Sequence, residues 1–91
     1  LAALVVSARD QNDVLQFVRE LARQIPAHQD ITVLGPAPAP IARVRDRYRF
    51  RFLLKGPKTA PMQGFIGQWL ASARVRGSLR LSIDIDPYSF L

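Results

Sequence analysis

Arginine recurs at every second position from 43 to 51, as Arg43, Arg45, Arg47, Arg49 and Arg51, and this is the strongest chemical signal in the sequence. A guanidinium is a planar fork of N–H donors that grips two oxygens of a phosphate or carboxylate at once. Lys55 and Lys58 extend the run and only Asp46 opposes it, so residues 43–58 carry a net +6, as much as the whole chain. A basic stripe this local suits a polyanion or an acidic partner segment. The plain alternative is a solvated strand face that arginine keeps soluble.

Other chemistry is thinly represented. There is one histidine, His28, in a polar turn, and no cysteine, so neither a zinc or haem site nor a disulfide is expected. Asp84 and Asp86 share a strand face, but they are expected to cap the strand or pair with Arg80 rather than act as an acid–base couple. No G-x-x-x-x-G-K-[ST] loop occurs, and a lone histidine builds no nucleophile–base pair, so this segment is not expected to be an enzyme or to hold a cofactor. No apolar run approaches the roughly 18 residues of a membrane span. The chain starts at Leu1 rather than Met and is expected to be part of something longer.

The elements that must carry the arginines follow from periodicity. Leu1–Ser7 is apolar on both faces and predicts a central strand. Asp10, Asn12 and Asp13 are N-cap candidates for a helix whose stripe is Val14, Phe17, Val18, Leu21, Ala22 and Ile25, stopped by Pro26. Ile31–Leu34 predicts a short strand. The basic run from Ile41 to Lys55 predicts one strand, in which Tyr48, Phe50, Phe52 and Leu54 alternate with Arg47, Arg49 and Arg51, which places aromatics inward and guanidiniums outward. A second helix is predicted from a Thr59 N-cap to about Arg74, with Met62, Phe65, Ile66, Trp69, Leu70 and Ala73 inward. Its Gly64 and Gly67 are expected to permit close packing. Leu79, Leu81, Ile83 and Ile85 alternate with polar residues in a last strand that adds Arg80 to the outward face.

The order βαββαβ predicts an α+β fold of the split βαβ, ferredoxin-like type. It has a four-stranded antiparallel sheet in the order 4-1-3-2, with both helices on one face. Ninety-one residues make a single domain. The stretch Gly35-Pro36-Ala37-Pro38-Ala39-Pro40 predicts a strand end at Leu34 and a stiff polyproline-like loop over 36–40. That loop is either a plain connector or a docking element, with Pro36 and Pro38 against a groove or a neighbouring domain. Tyr88 and Phe90, in the apolar tail, are expected either to pack back on the body or to meet another domain.

The blocks Val33-Leu34-Gly35-Pro36-Ala37-Pro38-Ala39-Pro40-Ile41, Arg47-Tyr48-Arg49-Phe50-Arg51-Phe52-Leu53-Leu54-Lys55 and Ile83-Asp84-Ile85-Asp86-Pro87, at this spacing, resemble the C-terminal domain of PriA, the primosomal replication-restart helicase family. The resemblance spans essentially the whole chain. It implies a fold like ribosomal protein S10 and a bacterial, cytoplasmic, nucleoid-associated monomer without membrane contact. The implied partners are forked and single-stranded DNA, recognised without sequence specificity, single-stranded DNA-binding protein and other primosome proteins. It also implies that the ATP, Mg and Zn of the family's helicase core and zinc-binding insertion belong to the parent protein. In the family, a basic residue in the turn before the second helix helps hold the acidic tail of single-stranded DNA-binding protein, and Lys58 is the basic residue of that turn here. Three functions therefore stand: DNA contact through Arg43, Arg45, Arg47, Arg49, Arg51 and Arg80; protein docking through Lys58, Pro36, Pro38, Tyr88 and Phe90; and, by analogy of fold alone, RNA binding.

Overall fold

The computed structural model describes residues 1–85, with backbone alone at residues 40–44. The elements are β1 (Ala2–Ala8), α1 (Gln11–Arg23), β2 (Thr32–Val44), β3 (Arg47–Lys55), α2 (Met62–Leu70) and β4 (Arg80–Ile85). They form one antiparallel sheet in the order β2-β3-β1-β4, which is the expected split βαβ arrangement. β1 lies between β3 and β4, as its two-sided apolarity requires.

The sheet has one covered face and one open face. Ala2, Leu4, Val6 and Ala8 of β1 are buried beneath the helices, and so are Phe52 and Leu54 of β3. α1 begins at Asp10, whose Oδ1 accepts from the backbone N–H of Asn12 at 2.8 Å and of Asp13 at 3.4 Å, satisfying donors that the first turn leaves unpaired. Its buried stripe is Val14, Phe17, Val18 and Leu21. Trp69 of α2 is buried, its ring edge-to-face with Phe52 at 4.9 Å, and its indole N–H donates to the carbonyl oxygen of Leu21 at 2.9 Å. One side chain thus ties both helices to the sheet and satisfies its own polar atom. His28 is structural too: its Nδ1 accepts from the backbone N–H of Asp30, and its ring stands edge-on to Phe65.

Four expectations fail here, each for a local reason. The proline stretch is not a loop, because β2 continues through it to Val44. Prolines fit because β2 is an edge strand, where a missing N–H costs no ladder bond on the solvent side. The ladder also breaks around them. Register shifts fall between Leu34 and Ala37 and between Pro38 and Arg43, and the Gly35–Pro36 peptide is cis. Second, the basic run is not one strand. Arg45 and Asp46 both have positive φ and close a two-residue hairpin between Val44 and Arg47. Third, α2 is shorter than predicted and starts at Pro61 without a side-chain cap, so Thr59 is not its N-cap. Fourth, a Cβ at Gly64 or Gly67 would meet nothing within 4 Å, so close packing does not explain these glycines.

Gly35 is different. Its φ is +110°, and a Cβ there would lie 2.7 Å from the Arg51 carbonyl oxygen. Gly35→Ala is expected to cost about 1–3 kcal/mol in urea unfolding, since both the backbone conformation and the close approach forbid a side chain. Gly64→Ala, in the open, is expected to stabilise by up to about 1 kcal/mol through helix propensity.

Candidate nucleic-acid interface

The side of the sheet away from the helices is built in rows. Pairing places Ser7 between Arg49 and Arg80, Val5 between Arg51 and Ser82, and Ala3 between Leu53 and Asp84. Ala37 and Leu34 of β2 extend the second and third rows. Arg49 and Arg80 flank β1, two strand spacings or roughly 10 Å apart. Arg51 stands one row further along, half-buried, while Arg80 is exposed. The face therefore grades from guanidinium at the Ser7 end to apolar and acidic at the Ala3 end. Tyr48, Phe50 and Phe52 pair with Ala8, Val6 and Leu4, so their register lies on the helix side, and Trp69 is buried. No aromatic residue occupies an open-face register position among the described residues.

Arg47 has a distinct environment. Its Nε donates to Ser7 Oγ at 3.1 Å, and its Nη2 donates to the carbonyl oxygens of Ser7, at 3.2 Å, and of Ser78. It therefore clamps the end of β1 to the turn that leads into β4. Arg9 joins the same corner, its backbone N–H donating to Ser78 Oγ at 2.9 Å. Partial burial lowers the Arg47 pKa, and the charges of Arg80 and Arg9 lower it further, although a guanidinium stays protonated throughout the physiological range. Those shifts identify three neighbouring cations, Arg47, Arg80 and Arg9. Arg9 was not among the sequence candidates, because its position after the first strand gave no sign that the fold returns β4 to its side.

The remaining candidates separate. Arg43 belongs to β2, its backbone paired with Tyr48, and Arg45 is exposed in the hairpin turn, so neither continues the row of Arg47, Arg49 and Arg51. Lys58 is exposed in the turn after β3, at the other end of the sheet from Arg47, Arg49 and Arg80. Pro36 and Pro38 are exposed on the β2 edge, with Pro38 paired to Phe50. Tyr88, Phe90 and Asp86 lie outside the described residues.

Neither main depression lies on the arginine face. One, of about 360 Å³, sits beside α1 and the segment that follows α2, and its lining carries both Asp13 and Glu20 and Arg74 and Arg76. The other lies between α2 and β4. Among the described residues no group of three His, Asp or Glu side chains is placed to hold a metal, and no helix is long and apolar enough to cross a membrane. The arginine rows are thus distinct from both of these depressions.

Arg47→Ala is expected to lower the urea midpoint, because Ser7 and Ser78 lose their common donor. Arg80→Ala, at an exposed position of the same face, is expected to leave the midpoint nearly unchanged. Equal midpoints for the two variants would remove the clamp role.

Comparison with known proteins gives a consistent answer. Residues 1–88 match the family model described as the primosomal protein N C-terminal domain. The chain is 29% identical over 89 residues to the replication restart protein PriA of Rickettsia felis and 28% identical to that of Rickettsia typhi. These alignments cover 98% of this chain but only 14% of each relative.

Proposed function

This chain belongs to the primosomal protein N C-terminal domain family, and we propose that, as part of a replication restart protein, it holds forked and single-stranded DNA through phosphate contacts on the open face of its sheet. The observation that carries this reading is the set of guanidiniums placed by strand register, Arg49 and Arg80 either side of Ser7 with Arg51 in the next row. Arginines on three neighbouring strand positions can follow a phosphate backbone without reading base edges. The absence of an aromatic platform on that face, among the described residues, favours phosphate contact over base stacking. Arg47 supports this surface from its end, held against β1, and Arg43 and Arg45 would widen it from the hairpin.

A second contact is proposed at Lys58. Its exposure at the far end of the sheet from the arginine corner makes it independent of the DNA face, and a single lysine before α2 would suit an acidic peptide tail such as that of single-stranded DNA-binding protein. The parent's ATP-dependent unwinding, with its Mg and Zn, would reside in the remainder of a chain the length of these relatives.

The test is a fluorescence-anisotropy titration with forked, duplex and single-stranded DNA at several salt concentrations. Binding to the fork or single strand is expected to fall steeply with salt through counterion release. Replacing Arg49, Arg51 and Arg80 together by Ala should weaken it and flatten the log–log salt slope by about 2–3 units, at roughly 0.7–0.9 for each phosphate no longer neutralised. An unchanged slope would remove these residues from the interface, and a preference for structured RNA over forked DNA would favour the RNA reading. Lys58→Glu should abolish binding of an acidic peptide while sparing DNA. Retained peptide affinity would take Lys58 out of that role.

A further inference from the structure

The basic end of the sheet holds more guanidinium than its clamp uses. Arg47 Nε donates to Ser7 Oγ, and Nη2 donates to the carbonyl oxygens of Ser7 and Ser78. These bonds engage three of the five N–H groups of the fork, and the two on Nη1 bond to nothing among the described residues. Ser7 Oγ accepts from Arg47 and Ser78 Oγ accepts from the Arg9 backbone, so each hydroxyl keeps its own proton to donate. Arg80 pairs with Ser7 across the β1–β4 ladder. Arg9 follows Ala8, the partner of Tyr48, which sets it beside Arg47. Arg9 and Arg80 are exposed. None of these three arginines forms an ion pair among the described residues. Burial, and then the charges of Arg80 and Arg9, lower the Arg47 pKa, which is repulsion that a bound anion would relieve.

We infer that this corner, Arg9, Arg47 and Arg80 about Ser7 and Ser78, is a site for a phosphomonoester, the terminal phosphate of a DNA strand; the inference rests on the reading of the open face as a DNA surface. A diester within a strand carries a single negative charge, whereas a phosphomonoester carries about −1.5 to −2 at neutral pH. Three cations about one point match the second. Arg47 is bonded to Ser7, Arg80 stands one strand spacing away at about 5 Å, and Arg9 lies two residues along β1, about 7 Å from Ser7. The unused edge of the Arg47 fork offers donors to phosphate oxygens, and the fork is already fixed by its bonds to the backbone, so little order is lost on binding. The position also suits a chain end. Arg51, then Arg49 and Arg80, then Arg47 and Arg9 succeed one another along the open face. Beyond them the chain leaves the sheet, into the N-cap of α1 at Asp10 and the hairpin at Arg45 and Asp46. Asp10, next to Arg9, has its Oδ1 engaged by the N–H groups of Asn12 and Asp13.

The test compares internally labelled single strands of one sequence that end in a 5′-phosphate, a 3′-phosphate or hydroxyls only, by fluorescence anisotropy at constant ionic strength. A phosphate at one end is expected to tighten binding about tenfold, the worth of one added charge-assisted contact. Arg9→Ala keeps the backbone N–H that bonds Ser78, and the phosphorylated and hydroxyl strands should then bind alike. Arg19→Ala removes the same charge from the exposed side of α1 and should preserve the difference. Inorganic phosphate and a nucleoside 5′-monophosphate, titrated alone by amide NMR, should shift Ser7 and Ser78 only at millimolar concentration. A free monophosphate that binds as tightly as the phosphorylated strand would overturn the assignment to strand ends. Equal binding of all three strands, or an advantage that Arg9→Ala leaves intact, would overturn the site while the DNA reading stands. Failure of every strand to bind would strike the DNA reading and the strand end with it.

Discussion

The register of β3 against β1 is the constraint on which the rest of the molecule depends. With Phe52 opposite Leu4 and Leu54 opposite Ala2, the aromatic half of β3 lies under the helices and Arg49 and Arg51 lie outside. A slip of one residue would bury the guanidiniums and expel Phe52 and Leu54, exchanging favourable apolar burial for the desolvation of several charges. The same pairing that fills the core therefore sets the spacing of the cations. Trp69 reinforces it from the other side, resting on Phe52 while its indole N–H holds the end of α1.

The two outer strands show how a sheet with an open face is kept from pairing with others. β2 carries prolines and two breaks in register, so its outer edge presents an interrupted set of donors. β4 places Arg80 and Asp84 on the open side. These devices leave the β2 edge poorly suited to pairing with another strand. At the basic end of the sheet the geometry is held by the clamp of Arg47 on Ser7 and Ser78, which fixes the corner where β1, β3 and the approach to β4 converge. Arginine thus has two roles in one strand: Arg47 bonds inward to the backbone, and Arg51 adds charge to the surface.

Much of this was legible in the sequence. The alternation Tyr48, Phe50, Phe52, Leu54 needs only the two-residue period of a strand, and the two-sided apolarity of Leu1–Ser7 needs only a central position. The stripe of α1 and its cap at Asp10 were equally direct. What escaped depends on tertiary context. Prolines ordinarily end a ladder, and only the edge position of β2, with Gly35 at a positive φ beside the Arg51 carbonyl, lets the strand pass through them. The hairpin at Arg45 and Asp46 has no turn signature, because arginine seldom adopts the left-handed region. Alternation also treats Arg47, Arg49 and Arg51 as equivalent. Nothing in their spacing shows that Ser7 and Ser78, distant in sequence, converge on the first of them, or that Arg9 joins the corner.

The claim that DNA lies along the open face is tested most directly by amide and arginine side-chain NMR of this chain during titration with forked DNA. The largest shifts are expected at Ser7, Arg49, Arg51, Arg80 and Ser82, reversing as salt is raised, with the buried residues of α1 and α2 unmoved. Shifts concentrated on the helices or at the Lys58 turn, with the arginine rows silent, would contradict it.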